Sequence, residues 1–157
     1  MNIFVISSTP SECAQMLDDK RLQKMILESA QMLSTAIIQR GGAVIYKPTH
    51  RNHPCTIWTG ATRGNYLWHL NLFSAMSCEY LGRRGKMHKS FQDCSRLLHE
   101  QLDLIPNGPL QPFPNCSLFK ELPDTFEAYK ATMRTKWLND KIPPRWTNSN
   151  PPMWKSP

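Results

Sequence analysis

The stretch TPSECAQMLDDKRLQKMILESAQMLSTAIIQRGG, residues 9–42, decides the fold class, because between its first proline and its closing glycines nothing interrupts a helix. Thr9 suits a helix cap, Pro10 suits the first helical turn, and the glycine pair 41–42 ends the pattern. We therefore predict one long helix that ends at about Gln39. At 100° per residue one stripe of small and apolar residues runs along it, comprising Ala14, Met25, Ser29, Met32 and Ala36.

The rest of the chain predicts a mainly α fold, a single compact helical domain over residues 1–157. The first six residues are expected to form a short, buried strand or extended segment. Further helices are expected at about 56–81, 88–102 and 124–139, with an irregular, proline-rich stretch at 105–123. The last residues, 143–157, are rich in proline and tryptophan, and we expect this C-terminal tail to pack on the body.

Composition indicates a basic, globular protein of a reducing compartment. The 157 residues carry a formal net charge of +7, which favours polyanionic partners such as DNA. Five cysteines without a CxxC spacing favour free thiols and a cytoplasmic location, in the host cytoplasm if the chain is phage-encoded. No apolar run reaches the roughly 20 residues of a membrane span, and no segment resembles a signal peptide. The oligomeric state is left open by the sequence.

Metal and cofactor fingerprints are lacking in the sequence. His50, His53 and Cys55 are spaced as HxxHxC, and His69 and His88 follow later, but this matches no established zinc spacing. No phosphate-binding loop, dinucleotide-binding glycine motif or metalloprotease motif occurs. We expect neither a metal nor a cofactor.

Charged residues lie on the apolar side of the first predicted helix. Asp18, Arg21 and Glu28 fall in or beside the apolar stripe, whereas Lys24 falls on the opposite, solvent-facing side. Buried charges require partners, so the set is either a structural ion network or a site. In the second case a carboxylate would perform acid–base work beside a cation that holds an anion.

Two loops supply candidate phosphate contacts. The loop from His50 to Pro54 combines histidine and arginine, and the stretch from Arg83 to Lys89 places cations before a helix, although a solvated charged turn explains the second equally well. Cations spread over these loops would form one basic face. The candidate DNA-binding residues are Lys24, His50, Arg51, Asn52, His53, Asn65, His69, Arg83, Arg84, Lys86, His88 and Lys89.

Short motifs in residues 1–90 resemble the phage endonuclease V family of pyrimidine-dimer DNA glycosylases. The start Met-Asn-Ile-Phe and the helix opening at residues 11–14 are similar to the N-terminus of that family. The stretches 52–54 and 79–90, NHP and EYLGRRGKMHKS, are similar to its short bacterial members. Residues 17–28 also resemble small uncharacterised phage proteins.

The resemblance implies an all-helical enzyme that kinks duplex DNA and flips out a base. Its N-terminal amine would attack the sugar C1′, and a Schiff-base intermediate would permit strand cleavage. The amine would belong to Asn2, or to Met1 if the initiator is retained. The family's assisting glutamate has no direct counterpart: the possible alignments place Lys24, Arg21 or Leu22 there, and the nearest carboxylates are Asp18, Asp19 and Glu28.

Three functions are therefore considered. The first is a DNA glycosylase with possible lyase activity on a damaged or modified base, with Asn2, Asp18, Arg21 and Glu28 as catalytic candidates. The second is a non-catalytic phage protein on the same scaffold that binds DNA or blocks a host factor. The third is an enzyme for free nucleotides or modified bases, which would use a pocket of Asp18, Arg21, His53 and His69.

Overall fold

A computed structural model describes residues 1–156 and contains six α-helices, two short 3-10 helices and no strand within that range. The mainly α prediction is confirmed. None of the helices described is long and apolar enough to span a membrane. The helices are α1 (Pro10–Met16), α2 (Asp19–Ile38), α3 (Pro54–Ala61), α4 (Arg63–Arg84), α5 (Lys89–Glu100) and α6 (Thr125–Asn139), and the 3-10 turns are Leu102–Leu104 and Met153–Lys155.

The predicted first helix is in fact two helices. Leu17 and Asp18 are extended, and the Asp18 carboxylate caps α2 by accepting the Arg21 N–H at 3.4 Å. The predicted second helix also divides, because Thr62 is extended and its hydroxyl caps α4 through the Asn65 N–H at 3.1 Å. In both places a residue with a good capping side chain starts a new helix where its backbone leaves the helical region.

Helix α2 lies at the centre of the molecule and packs on α3, α4 and α5, while α1 packs on α4. The N-terminal segment forms neither a helix nor a strand, and residues 3–6 are buried in the core. At the other end of the chain, the Trp146 indole donates to the Met16 carbonyl at 3.1 Å and packs edge-on against Trp137. The tail residues thus contact the junction between α1 and α2.

Two predicted DNA contacts are buried polar groups of the core. His69 is fully buried, with Nδ1 2.7 Å from the Thr59 hydroxyl and Nε2 3.0 Å from the Ser29 hydroxyl. Asn65 is also fully buried and exchanges hydrogen bonds with Gln111, at 2.7 and 2.9 Å. In contrast to their predicted role as DNA contacts, both side chains have no exposed surface and join helices and loops within the core.

Candidate functional site

The first residues of the chain turn back onto α2. The Asn2 side chain accepts the Ile3 and Phe4 N–H groups at 2.8 and 3.0 Å and donates to the Cys116 carbonyl at 3.2 Å. Phe4 adopts φ 40°, a left-handed conformation that is unfavourable for an aromatic residue, and its ring packs edge-on against Tyr129. The turn is therefore held by packing and hydrogen bonds on both sides, which fixes the backbone at Met1 and Asn2.

Glu28 receives this terminus. Its Oε2 lies 3.1 Å from the Asn2 backbone nitrogen and 3.6 Å from the Met1 amine, and its Oε1 lies 3.4 Å from Lys24 Nζ. The glutamate is buried, and the Met1 side chain is 3% exposed. A buried carboxylate is tolerated when opposite charges and N–H donors surround it. The result is a carboxylate and an amine side by side at one end of the core.

A pocket of about 170 Å³ opens at this terminus, and we call it the N-terminal pocket. Helix α2 contributes Lys24 and Glu28 to its wall, and later parts of the chain contribute Cys116 and Lys136. An acid, an amine and two lysines thus surround a small cavity. Such a set can hold an anionic ligand while the amine and the carboxylate face it.

The predicted loop 50–54 lies beside the N-terminal pocket. His50, Arg51 and Asn52 are exposed, and the half-buried His53 caps α3 by accepting the Cys55 N–H at 3.2 Å. Burial lowers the pKa of His53, and the positive charge of the N-terminal amine lowers it further, while the charge of Glu28 opposes the effect. These charges act on His53 because it lies close to the amine and to Glu28.

His53, Cys55 and Cys116 form a cluster in which one ligand atom of each lies within 4.8 Å of the others. A hydrogen bond from the Cys55 thiol lowers the pKa of Cys116 to about 6, although its partial burial opposes this, and the same interaction raises the pKa of Cys55. From the sequence we expected free thiols and no metal, although His53 and Cys55 stood out within an HxxHxC spacing. No spacing could have revealed the cluster, because 60 residues separate the two cysteines.

Asp18 and Arg21 belong to a different part of the molecule. The Asp18 carboxylate accepts the Trp137 indole N–H at 2.8 Å and Arg21 Nη1 at 3.1 Å, and Arg21 also binds Asp140 at 2.7 Å. Ten residues of helix separate Asp18 from Glu28, which corresponds to about 15 Å. The structure corrects the predicted Asp18–Arg21–Glu28 grouping: the first two form a buried network that fastens α6 to the start of α2.

Arg83 is the other predicted DNA contact that lies inside the protein. Its guanidinium donates to the carbonyls of Leu17 and Gln15 at 2.8 and 3.0 Å, and to the carboxylates of Asp19 and Glu79 at 3.0 and 2.9 Å. With 4% of its surface exposed it cannot bind a phosphate. In contrast to its predicted role as a DNA contact, this guanidinium satisfies carbonyls that the interruption between α1 and α2 leaves free.

The remaining basic candidates surround the turn between α4 and α5. Arg84, Lys86 and Lys89 are exposed, and Lys89 pairs with Asp93 at 3.0 Å. His88 is half-buried and caps α5 by accepting the Ser90 N–H at 3.2 Å. Because Arg84 lies 3.8 Å from an oxygen of Asp19, this basic turn lies at the start of α2, whereas Glu28 is in the middle of that helix, about 13 Å further along.

Comparison with known families places this arrangement in context. A family model described as pyrimidine dimer DNA glycosylase matches residues 1–93. The chain belongs to this family. No curated protein and no solved structure matches it. Membership in the pyrimidine dimer DNA glycosylase family identifies DNA as the partner and glycosylase as the class of activity.

The family match includes the N-terminal segment, α1 to α4 and the beginning of α5. It therefore contains the terminal amine and Glu28, whereas Cys116 and Lys136 lie beyond it. The expected alignments place Lys24, Arg21 or Leu22 at the position of the family's assisting glutamate. In this member of the family the carboxylate that lies beside the terminal amine is Glu28.

Proposed function

We propose that this protein is a pyrimidine-dimer DNA glycosylase with lyase activity, in which a primary amine at the N-terminus is the nucleophile and Glu28 is the acid–base residue. The contact between the terminal backbone and Glu28 Oε2, 3.6 Å for Met1 and 3.1 Å for Asn2, carries the proposal. The amine is that of Asn2 if the methionine is removed and that of Met1 if it is retained. The large side chain of Asn2 and the buried side chain of Met1 favour retention.

The chemistry requires a neutral amine at C1′ of the damaged nucleotide. Attack forms a C–N bond from the amine while the glycosidic bond breaks and its electron pair leaves with the base. Loss of a proton from the nitrogen and opening of the sugar ring, in which the C1′–O4′ bond breaks and O4′ takes up a proton, then give the protonated imine. Glu28 is close enough to accept the proton from the nitrogen. Removal of a proton from C2′ then expels the 3′ phosphate and cuts the strand. Glu28 thus performs proton transfers around one amine, which lies 3.6 Å away if it is that of Met1 and 3.1 Å away if it is that of Asn2.

Two different groups of cations would contact the duplex. Lys24 and Lys136 line the N-terminal pocket, and His50 and Arg51 are on the exposed loop beside it, so we assign them to phosphates next to the flipped nucleotide. Asn52 belongs to the same exposed loop. The basic turn of Arg84, Lys86 and Lys89 is too far from the N-terminal pocket for that role. We assign it to phosphates of the DNA backbone that flank the flipped nucleotide.

Borohydride trapping tests the proposal. The protein is incubated with a duplex that carries a pyrimidine dimer or an abasic site, with undamaged duplex as the control, and the reduced adduct is mapped by peptide mass analysis. We expect one adduct on the N-terminal peptide. An adduct on Lys24, whose amine is 3.4 Å from Glu28, would contradict the assignment of the nucleophile. Binding to DNA without an adduct would instead favour the non-catalytic alternative.

Substitution of the carboxylate tests the second half of the proposal. Glu28→Gln is expected to lower the rate of trapping by roughly 100-fold or more, since positioned acid–base groups contribute 10²–10⁴-fold. Glu100→Gln is the matched control, because that glutamate is exposed and pairs with Arg96 on α5. Equal trapping rates for the two variants would refute the role of Glu28. Affinity for the duplex should be nearly unchanged in both.

A further inference from the structure

The cluster of His53, Cys55 and Cys116 is not used by the glycosylase chemistry proposed above. Two of its members flank the beginning of α3, and the third comes from the irregular segment between α5 and α6. One ring nitrogen and two sulfur atoms lie within 4.8 Å of one another. Cys55 is fully buried, and the other two side chains are partly exposed, so the cluster is reachable from solvent on one side.

The donor set and its spacing match a borderline divalent metal ion. Two thiolates and one imidazole form a Cys₂His set, which zinc binds at about 2.3 Å from sulfur and about 2.0 Å from nitrogen. Tetrahedral geometry at those lengths separates neighbouring ligand atoms by roughly 3.5–3.8 Å. The three atoms would therefore converge by about 1 Å, which is within the reach of side-chain rotation.

Backbone contacts hold the ligand from the irregular segment in place. The Cys116 N–H donates to the Tyr129 hydroxyl at 3.1 Å, and its carbonyl accepts the Asn2 side-chain amide at 3.2 Å. Cys55 is fixed in the first turn of α3. The cap from the Cys55 N–H to His53, at 3.2 Å, must be given up, because a neutral imidazole has a single free lone pair. The hydrogen bond between the two thiols is also lost when both become thiolates. These two hydrogen bonds are a small loss beside three ligand bonds.

We propose that His53, Cys55 and Cys116 bind one divalent ion of the zinc class. Because Cys116 also lines the N-terminal pocket, the ion lies beside that pocket. The ion fastens the segment that carries Cys116 to the start of α3, and it thereby holds one wall of the pocket. Metal binding at this site does not depend on imine formation, so it can be tested separately from the glycosylase proposal.

Cobalt titration of the reduced, chelator-treated full-length protein tests the site. Co²⁺ in a tetrahedral thiolate site produces sulfur-to-metal charge-transfer absorbance and intense visible bands. We expect these bands to saturate at one equivalent of Co²⁺ and to disappear on addition of Zn²⁺. If reduced thiols give no such bands with excess Co²⁺, the proposal is overturned.

Three variants assign the ligands. Cys116→Ser and His53→Asn should each weaken Co²⁺ binding by roughly 100-fold or more. Loss of a residue that only hydrogen-bonds to a ligand typically weakens metal binding by about 10–100-fold. Asparagine retains a side chain that can cap α3. Weaker Co²⁺ binding by His53→Asn would therefore result from loss of the metal ligand and not from loss of the helix cap. Cys78→Ser is the matched control, since Cys78 is exposed on α4, and should bind as the parent does. Bands that persist in Cys116→Ser, with native circular dichroism, would overturn the proposal.

Discussion

Lowering the pH from 7 to 5 tests the hydrogen-bond chain that joins α2, α3 and α4 through His69. The imidazole is completely buried, and burial lowers its pKa from 6.5 to about 3. It contacts the hydroxyls of Thr59 and Ser29, and Ser29 is the neighbour of Glu28 in α2. Protonation would place a charge in the centre of the fold without a counter-ion, so acid should destabilise the native state through this residue.

The sign and the size of the effect follow from the two pKa values. Because the folded pKa is below the unfolded one, the unfolded chain binds the proton more readily. The contribution of His69 to stability is therefore full above about pH 6.5 and is lost as the pH falls toward 3. Between pH 7 and pH 5 the free energy of unfolding should decrease by about 2 kcal/mol through this one group.

Urea unfolding at pH 7 and pH 5 measures this loss, and His69→Gln provides the reference. Glutamine retains a hydrogen-bonding side chain and does not titrate, so every other ionisable group is common to the two proteins. The parent should lose about 2 kcal/mol more than the variant between the two pH values. Equal losses would show that the imidazole is not held in its neutral form by burial, which would refute the reasoning.

The remaining predictions concern packing and charge. Asp18→Asn should lower the free energy of unfolding by about 3 kcal/mol in urea titrations while the trapping rate stays unchanged, because it breaks a buried ion network that includes Trp137. Gly64→Ala should destabilise the protein despite the better helix propensity of alanine, and thermal unfolding checks this, because the new Cβ would lie 2.5 Å from the Pro109 carbonyl carbon. Lys24→Ala should weaken binding to all duplexes alike, and the slope of log affinity against log salt should decrease in magnitude by about 1. A changed trapping rate in the first variant, an unchanged melting temperature in the second or an unchanged salt slope in the third would contradict the corresponding assignment.

The helical class could be predicted because residues 9–42 contain their own start and stop signals and a long apolar stripe. The breaks at Asp18 and Thr62 were missed, although both are capping residues. Inside a helical pattern, a residue that can cap a helix cannot be told from an ordinary polar residue unless the backbone there is known to be extended. Arg83 was assigned to DNA for a similar reason: only the break in the first helix creates the carbonyls that this guanidinium binds.

For the proposed site, the two central groups and Lys24 were already candidates in the sequence, whereas Cys116 and Lys136 were not. Glu28 could be chosen because it is a carboxylate beside the apolar stripe, and Asn2 because of the family resemblance. Helical periodicity also placed Asp18 and Arg21 near the same stripe, about 15 and 10 Å of helix from Glu28. It could not show that they pair with Trp137 and Asp140 at the end of α6. Cys116 and Lys136 come from distant parts of the chain, and only the tertiary fold brings them to the terminus.

The N-terminal pocket is assembled from two halves of the chain that can change independently. Its reactive groups lie within residues 1–93, whereas Cys116, Leu118, Thr132 and Lys136 of its wall lie outside the family match. Under the proposed function, substitutions in the second half are expected to change which lesion the pocket accepts while the amine and the carboxylate stay as they are.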